Sequence, residues 1–404
     1  MSPRVDYARL NYAFLHNAGK HNRGLRMQNP FKFGSVVTGD DFADRRRELA
    51  ELARELADGQ HLFLLSPRRF GKTSLILTLL DRLHDRGALV AYVDVFRTTT
   101  PAQLLELTAG TILGAAESRP ERLLRLAMDL LGRLRPQVGA DATGRPTLSL
   151  DIGTSPRSLL ALQEEVLALP ERLAVKRKRR LVLAFDEFQE ILRFPGAGLE
   201  KVMRSHFQRH RHVSYLFAGS RQATLQDMAT RERSPFYKFG RVMSLGSIPP
   251  GEFAPFLEAR FKRGGLAVTQ EILDAVLAAA DDVPYNVQRL CHQLWNLRAG
   301  EATRLTERDI GEALAIILDQ DGPYFSAAWE RLSLHQRQVL QAIAKGGGRN
   351  VFSGDFLTTH RLGSHSSVQT SLRLLLKEQL LRKANGEYRI ADPFFREWIG
   401  TRSP

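Results

Sequence analysis

A parallel β-sheet covered by helices, followed by a helical section and a small C-terminal domain, is the α/β architecture that the 404 residues predict. Three observations predict it. Between residues 28 and 247, short apolar runs alternate with amphipathic helical patterns, as they must when each strand is buried on both faces and each crossover is a helix. Pro249, Pro250 and Gly251 then break the pattern ahead of helices rich in Leu and Ala, the makings of a lid over residues 248–328. From residue 329 to 404 the order is helix, short helix, helix, hairpin and closing helix. Residues 1–27 precede all of this as a polar, basic arm.

The strand-like runs are His61-Leu65, Leu89-Val95, Leu181-Phe185, Val213-Ala218 and Val242-Leu245. Between the second and third, a helical insertion is interrupted from Pro136 to Pro156 by Gly, Pro and Thr, which reads as a loop or short hairpin. At this length more than one domain is expected, because single hydrophobic cores stop growing below ~300 residues. No stretch approaches the ~18 apolar residues of a membrane helix. The arm carries Arg4, Arg9, Lys20, Arg23 and Arg26, and Ala13-Phe14-Leu15 is too short for a signal-peptide core. The single cysteine, Cys291, excludes an internal disulfide framework and fits a helical core position. A cytoplasmic, reducing setting is therefore expected. The net charge of +14 suggests an anionic partner without identifying one.

The chemistry concentrates after the first run. Ser66-Pro67-Arg68-Arg69-Phe70-Gly71-Lys72-Thr73 lies between Leu62-Leu65 and a helical pattern from Ser74 to Leu83, the context of a phosphate-binding loop. Backbone N–H groups at the helix start can wrap phosphates. Lys72 can neutralise the β and γ groups of ATP, and the Thr73 hydroxyl can bind Mg2+. Ser66 stands where the first glycine is usual. Leu181-Phe185 ends in Asp186-Glu187, placing one carboxylate to hold the metal and another to orient or deprotonate water. Each motif alone has a bland reading, a helix start or a solvated strand end; together they point to a nucleotide.

With these motifs the sequence resembles the P-loop ATPases of the AAA+/STAND group, especially the archaeal-type ATPases, over residues 28 to 300 with a family-like tail. The resemblance implies a P-loop parallel sheet with a helical lid and a C-terminal winged helix. Asn29-Pro30-Phe31, Phe42 and Asp44-Arg45-Arg46-Arg47-Glu48 look like the segment near adenine, with Asp44 where the wider group has glycine. Ala218-Gly219-Ser220-Arg221 is similar to the first sensor strand, where Ser220 would feel the γ-phosphate; an ordinary turn residue is the alternative. Arg241 sits where related proteins direct an arginine at a neighbour's nucleotide in a homo-oligomer, or it is a solvated strand start. Pro284 and Arg289 fall where the family's lid touches nucleotide, with Asp282 replacing a glycine; a proline in a first helical turn also needs no function.

In the last section, Asn385-Gly386 is a two-residue hairpin signal between Leu381-Ala384 and Glu387-Ile390. The third helix could present Ser366, Gln369, Thr370 and Arg373 to a groove of double-stranded DNA, with Arg382, Lys383 and Arg389 on the wing meeting phosphates. Twelve Lys and Arg against six Asp and Glu from residue 329 support this. Winged helices also bind protein partners, and that reading stays open. The run Lys176-Arg177-Lys178-Arg179-Arg180 reads as a solvated flank of the next strand, and His206, His210 and His212 as basic surface, the first two sharing a helix face. The expected function is an Mg2+-dependent, ATP-hydrolysing switch acting on DNA, with an ATP-holding signalling or scaffold protein as the alternative.

Overall fold

The computed structural model describes residues 28–43, 45–131, 134–140, 146–151, 156–194, 198–298, 300, 304–384 and 386–402. The N-terminal arm, Asp44 and Asn385 lie outside the described residues. The chain forms two compact units: Val36–Gly246, and Ser247–Pro404 together with the segment ending at Ser35.

The first unit is built on β1 (Leu62–Leu65), β2 (Leu89–Asp94), β5 (Leu181–Asp186), β6 (Val213–Gly219) and β7 (Arg241–Ser244), all parallel in the order β2-β5-β6-β1-β7. Each expected run is a strand, displaced by a residue at most ends. The two-residue period of a strand sorts the side chains. Leu62, Leu64, Val90, Val182, Ala184, Leu216 and Ala218 face α1 (Arg46–Ala57) and α2 (Lys72–Asp85). Phe63, Leu65, Ala91, Val93, Leu183, Phe185, Tyr215 and Phe217 face the other layer. That layer includes α3 (Pro101–Ala116), α4 (Pro120–Leu130), α5 (Pro156–Arg177), α6 (Leu199–Phe207) and α7 (Gln222–Thr230). Burial of each such Leu or Phe contributes about 1.5–3 kcal/mol, so the alternation specifies register as well as stability. The stretch from Pro136 to Pro156 carries an antiparallel hairpin, β3 (Arg135–Ala140) with β4 (Pro146–Asp151).

At the amino end of this sheet, His210 Nδ1 lies 2.6 Å from the buried Tyr215 hydroxyl, and His61 stacks on Phe239 at 4.4 Å. His210 falls beyond the end of α6, so it does not share a helix face with His206, whose Nε2 lies 3.4 Å from Glu164. His61 and His210 are both pushed down to about 4, chiefly by burial. Neutral in the fold, they bind protons only when unfolded between pH 6.5 and 4. Stability is therefore full above pH 6.5 and falls as pH drops towards 4, by at most about 3 kcal/mol per histidine. The expected result is a urea midpoint that declines from pH 7.5 to 5 and declines less in His61→Gln; a midpoint flat across that range in the wild type would contradict it.

The second unit contains α8 (Pro250–Arg263), α9 (Gln270–Ala279), α10 (Pro284–Arg298) and α11 (Glu307–Glu330), then α12 (Leu334–Gly346), α13 (Gly354–Thr359), α14 (His365–Lys377), the hairpin β8 (Leu381–Ala384) with β9 (Glu387–Ile390), and α15 (Pro393–Gly400). The expected boundary at residue 328 does not exist as a break: α11 runs through it. Phe325 and Trp329 on its last turns pack on Trp398 of α15, at 5.9 and 6.2 Å between ring centroids. The boundary at residue 28 shifts too. Asn29 Nδ2 donates to the His292 carbonyl at 3.0 Å, Arg260 donates to the Pro30 carbonyl at 3.0 Å, and Phe31 meets Phe261 at 4.5 Å. The Asn29-Pro30-Phe31 part of the segment expected near adenine is thus anchored in the second unit, while Phe42 and Arg45 to Glu48 belong to the first. Cys291 is a buried core residue of α10, where burial pushes its thiol up.

Among the described residues no helix is long and apolar enough to cross a membrane.

Candidate active site

The strand order places β6 between β1 and β5, with Leu65 level with Gly219 and Asp94 level with Asp186. The chain leaves β1 towards one edge of the sheet and leaves β6 towards the other, so the carboxyl ends of these strands border a topological switch point, where open α/β sheets bind ligands. All three motifs converge there.

The loop after β1 is held from several sides. Ser66 is buried, continues the ladder by donating its N–H to the Gly219 carbonyl at 3.3 Å, and turns its hydroxyl to the Pro67 carbonyl at 3.1 Å. Arg69 (φ 71°) and Gly71 (φ 81°) adopt left-handed conformations that bend the chain back into α2. For Arg69 this costs about 1–2 kcal/mol, strain that the surrounding loop maintains. Phe70 is buried and anchors the turn, while Arg68 and Arg69 are exposed. No side chain caps the start of α2, which leaves its first-turn amides oriented for an anion.

The side chains at the start of α2 and at the ends of β5 and β6 form one connected cluster. The Lys72 ammonium pairs with Asp186 and lies 2.9 Å from Glu187 Oε1. Thr73 Oγ1 donates to Asp186 Oδ2 at 2.8 Å. Ser220 donates to Glu187 Oε2 from its hydroxyl at 2.8 Å and from its N–H at 3.1 Å, and Gln189 Nε2 donates to the same oxygen at 2.6 Å. Burial works to raise the Glu187 pKa, but Lys72, Gln189 and Ser220 outweigh it and hold the carboxyl at about 2. Burial pulls the Lys72 pKa down against the pull of Glu187. Glu187 itself is in a left-handed conformation (φ 50°), which turns its side chain back over the strand ends. An alcohol beside a carboxylate is a hard-oxygen donor set suited to Mg2+, so Thr73 and Asp186 fit the ion expected with a nucleotide. Among the described residues no group of three or more His, Cys, Asp or Glu could hold a metal by itself.

Residues 42–232 match the family described as an ATPase domain predominantly from Archaea, and residues 323–401 match a probable winged helix domain. The chain joins an archaeal-type ATPase domain to a winged helix. Its fold is similar to that of a Walker-type ATPase of Pyrococcus abyssi, at 18% identity and a TM-score of 0.61 over 89% of this chain and 97% of that one. It is also similar to the ORC2 protein of Aeropyrum pernix in its ADPNP-ADP complexes, at 19% identity and a TM-score of 0.52 over 89% and 93%. Among curated proteins none matches the chain.

Other residues expected at the nucleotide of this ATPase domain are placed elsewhere. Arg45 does not present its guanidinium to a ligand: it is 1% exposed and donates to the carbonyls of Phe70 at 2.9 Å and Gly246 at 2.8 Å, with Glu48 at 3.1 Å. The Ser74 hydroxyl accepts the Val37 N–H at 3.1 Å, so only its backbone faces the helix start. Arg241 begins β7 opposite Leu62, at the far end of the sheet from the loop, and binds Glu51 at 2.7 Å and Glu55 at 3.1 Å. It has no part in the site of its own chain. Pro284 and Arg289 belong to the second unit, where Arg289 is tied bidentately to Asp321. Asp282 is left-handed (φ 53°), as is Asp281 (φ 52°), which accounts for the glycine usual in the family and for the tolerance of aspartate here.

Sequence reasoning missed four contributors. The Tyr92 hydroxyl donates to Asp186 Oδ2 at 3.0 Å, and Asp94 closes β2 level with Asp186, its pKa raised by burial. Asp94 gave no signal of the kind that Asp186 gives, because the apolar run continues past it to Val95 and Phe96. Gln189 and Gly219 form the remaining pair. A Cβ on Gly219 would stand 1.9 Å from Gln189 Oε1, so only glycine lets Gln189 reach Glu187.

In the winged helix, Ser366, Gln369, Thr370 and Arg373 are exposed on α14 and Lys383 is exposed on the wing. The other two wing cations are committed. Arg382 pairs with Asp281, and Arg389 binds Asp281 at 3.0 Å and Glu387 at 3.1 Å. The expectation that both meet phosphates is corrected by that pairing.

Proposed function

We propose that this ATPase is a magnesium-dependent switch whose nucleotide state governs engagement of double-stranded DNA by the winged helix. The observation that carries the reading is the connected cluster of Lys72, Thr73, Asp186, Glu187 and Ser220 at the carboxyl ends of three strands. Lys72 exchanges its two carboxylates for the β and γ phosphates, to which an ammonium is a direct counter-charge. That exchange frees Asp186, with Thr73, to hold Mg2+. The ion, bound with the nucleotide, supplies neutralisation of the phosphate oxygens. Glu187, released from Lys72 but still held by Ser220 and Gln189, orients and deprotonates the attacking water. In a homo-oligomer Arg241 would have to leave Glu51 and Glu55 to reach a neighbour's nucleotide, and Arg289 would have to leave Asp321 to touch its own.

ATP hydrolysis by the purified chain, with and without duplex DNA and with and without Mg2+, tests this reading. Stimulation by DNA and loss on chelation are expected; turnover indifferent to both would overturn it.

The pairing of Arg382 and Arg389 with Asp281 favours a second reading, a winged helix that binds protein. The Asp281→Asn variant separates the two. On the DNA reading it removes the carboxylate that Arg382 and Arg389 share, so affinity for duplex should rise and its salt slope should steepen. An unchanged affinity and slope would favour the protein partner.

A further inference from the structure

The amino end of the sheet gathers cations that the nucleotide site does not use. Leu89, Leu181 and Val213 lie level on adjacent strands, so the segments entering them, residues 86–88, 176–180 and 209–212, form one edge. Together these carry Arg86, Lys176, Arg177, Lys178, Arg179, Arg180, Arg209 and Arg211, and no Asp or Glu. The segments are bound to one another. Arg179 donates to the carbonyls of Gly87 at 2.6 Å and Ala88 at 3.1 Å, Arg180 donates to that of Arg211 at 3.5 Å, and Leu89 and Leu181 donate their N–H groups to Arg180 and His212.

Those bonds fix guanidiniums in place without neutralising them. Lys176 pairs with Asp129, and the nearby Glu171 is occupied by His212 and by the N–H groups of Arg211 and His212. Arg86, Lys178, Arg209 and Arg211 are exposed and make no ion pair among the described residues. A solvated flank explains one basic run. It does not explain three segments of one sign assembled and cross-braced on one edge.

We infer that this edge is a second nucleic-acid contact, which takes the phosphate backbone of double-stranded DNA without reading its sequence. Adjacent strands lie about 4.8 Å apart, so three neighbouring segments span about 10 Å, the rise of about three phosphates along one DNA strand. Six of the eight cations are arginine, whose planar fork suits phosphate oxygens. The three segments carry no large apolar side chain of the kind that anchors a protein in lipid. The site is on the ATPase domain and does not depend on the winged helix binding DNA.

The test uses the full chain and a triple variant, Lys178→Glu, Arg209→Glu and Arg211→Glu, whose side chains make no hydrogen bond among the described residues. Binding to two duplexes of unrelated sequence is measured by fluorescence anisotropy across a salt series, beside ATP turnover without DNA as a control for folding. The expected result is an affinity at least about tenfold lower on both duplexes, a salt slope shallower by about 3, and unchanged basal turnover. The same comparison on an Arg373→Glu background keeps this edge separable from the winged helix. Equal affinity and slope in variant and parent would overturn the inference, as would a loss on one duplex alone.

Discussion

Glu187→Gln is expected to retain nucleotide and lose turnover by about a hundredfold or more, the range for removal of a positioned general base. The substitution is nearly isosteric. A glutamine oxygen can still accept from the Ser220 hydroxyl and N–H and from Gln189, which now meet at Glu187 Oε2. What is lost is the charge that Lys72 and these donors stabilise, together with the basicity that a water would need. Lys72→Ala acts differently, because it removes the cation that faces both acids. Asp186 is almost fully buried, and leaving it beside Glu187 without the ammonium costs a few kcal/mol as well as the phosphate partner. Nucleotide binding should therefore fail first in Lys72→Ala and hydrolysis first in Glu187→Gln. Fluorescent-nucleotide titration beside phosphate release distinguishes them. Wild-type turnover in Glu187→Gln would remove that residue from the chemistry.

The parts of this site that were legible in the sequence are those encoded locally. An apolar run, a loop ending in Gly-Lys-Thr and a helical period specify β1, the loop and α2, and an apolar run ending in two acids specifies β5 and its carboxylates. What was not legible depends on partners distant in sequence. Arg45 reads as one of three consecutive arginines until Gly246, 201 residues on, is seen to accept from it. Arg389 reads as a wing cation until Asp281, 108 residues before it, takes the charge. Gln189 has no local signal at all, since its reach to Glu187 depends on the absence of a side chain at Gly219. Basic residues were the hardest class to place because a guanidinium can serve a carbonyl, a carboxylate or a phosphate, and sequence spacing does not choose among them.

Arg45 makes this point testable. Its guanidinium is buried, and two of its acceptors are main-chain carbonyls: one in the phosphate-binding loop at Phe70 and one just after β7 at Gly246. It thereby ties the loop to the far side of β1, where β7 pairs. Arg45→Ala leaves both carbonyls short of a donor and Glu48 without its cation. The Gly246 carbonyl is exposed and can turn to water, so the cost falls mainly on the buried bond to Phe70, and a destabilisation of about 1–3 kcal/mol is expected. Arg45→Lys should recover only part of this, because one ammonium cannot reproduce the fork that spans Phe70 and Gly246. The decisive readout is nucleotide affinity at a temperature where the variant remains folded. The left-handed turn at Arg69 persists only while its surroundings hold it, so loosening Phe70 should weaken binding even though Arg45 touches no phosphate. A variant with lowered stability and unchanged affinity would mean that the loop holds its shape through Ser66 and the β1–β6 ladder alone.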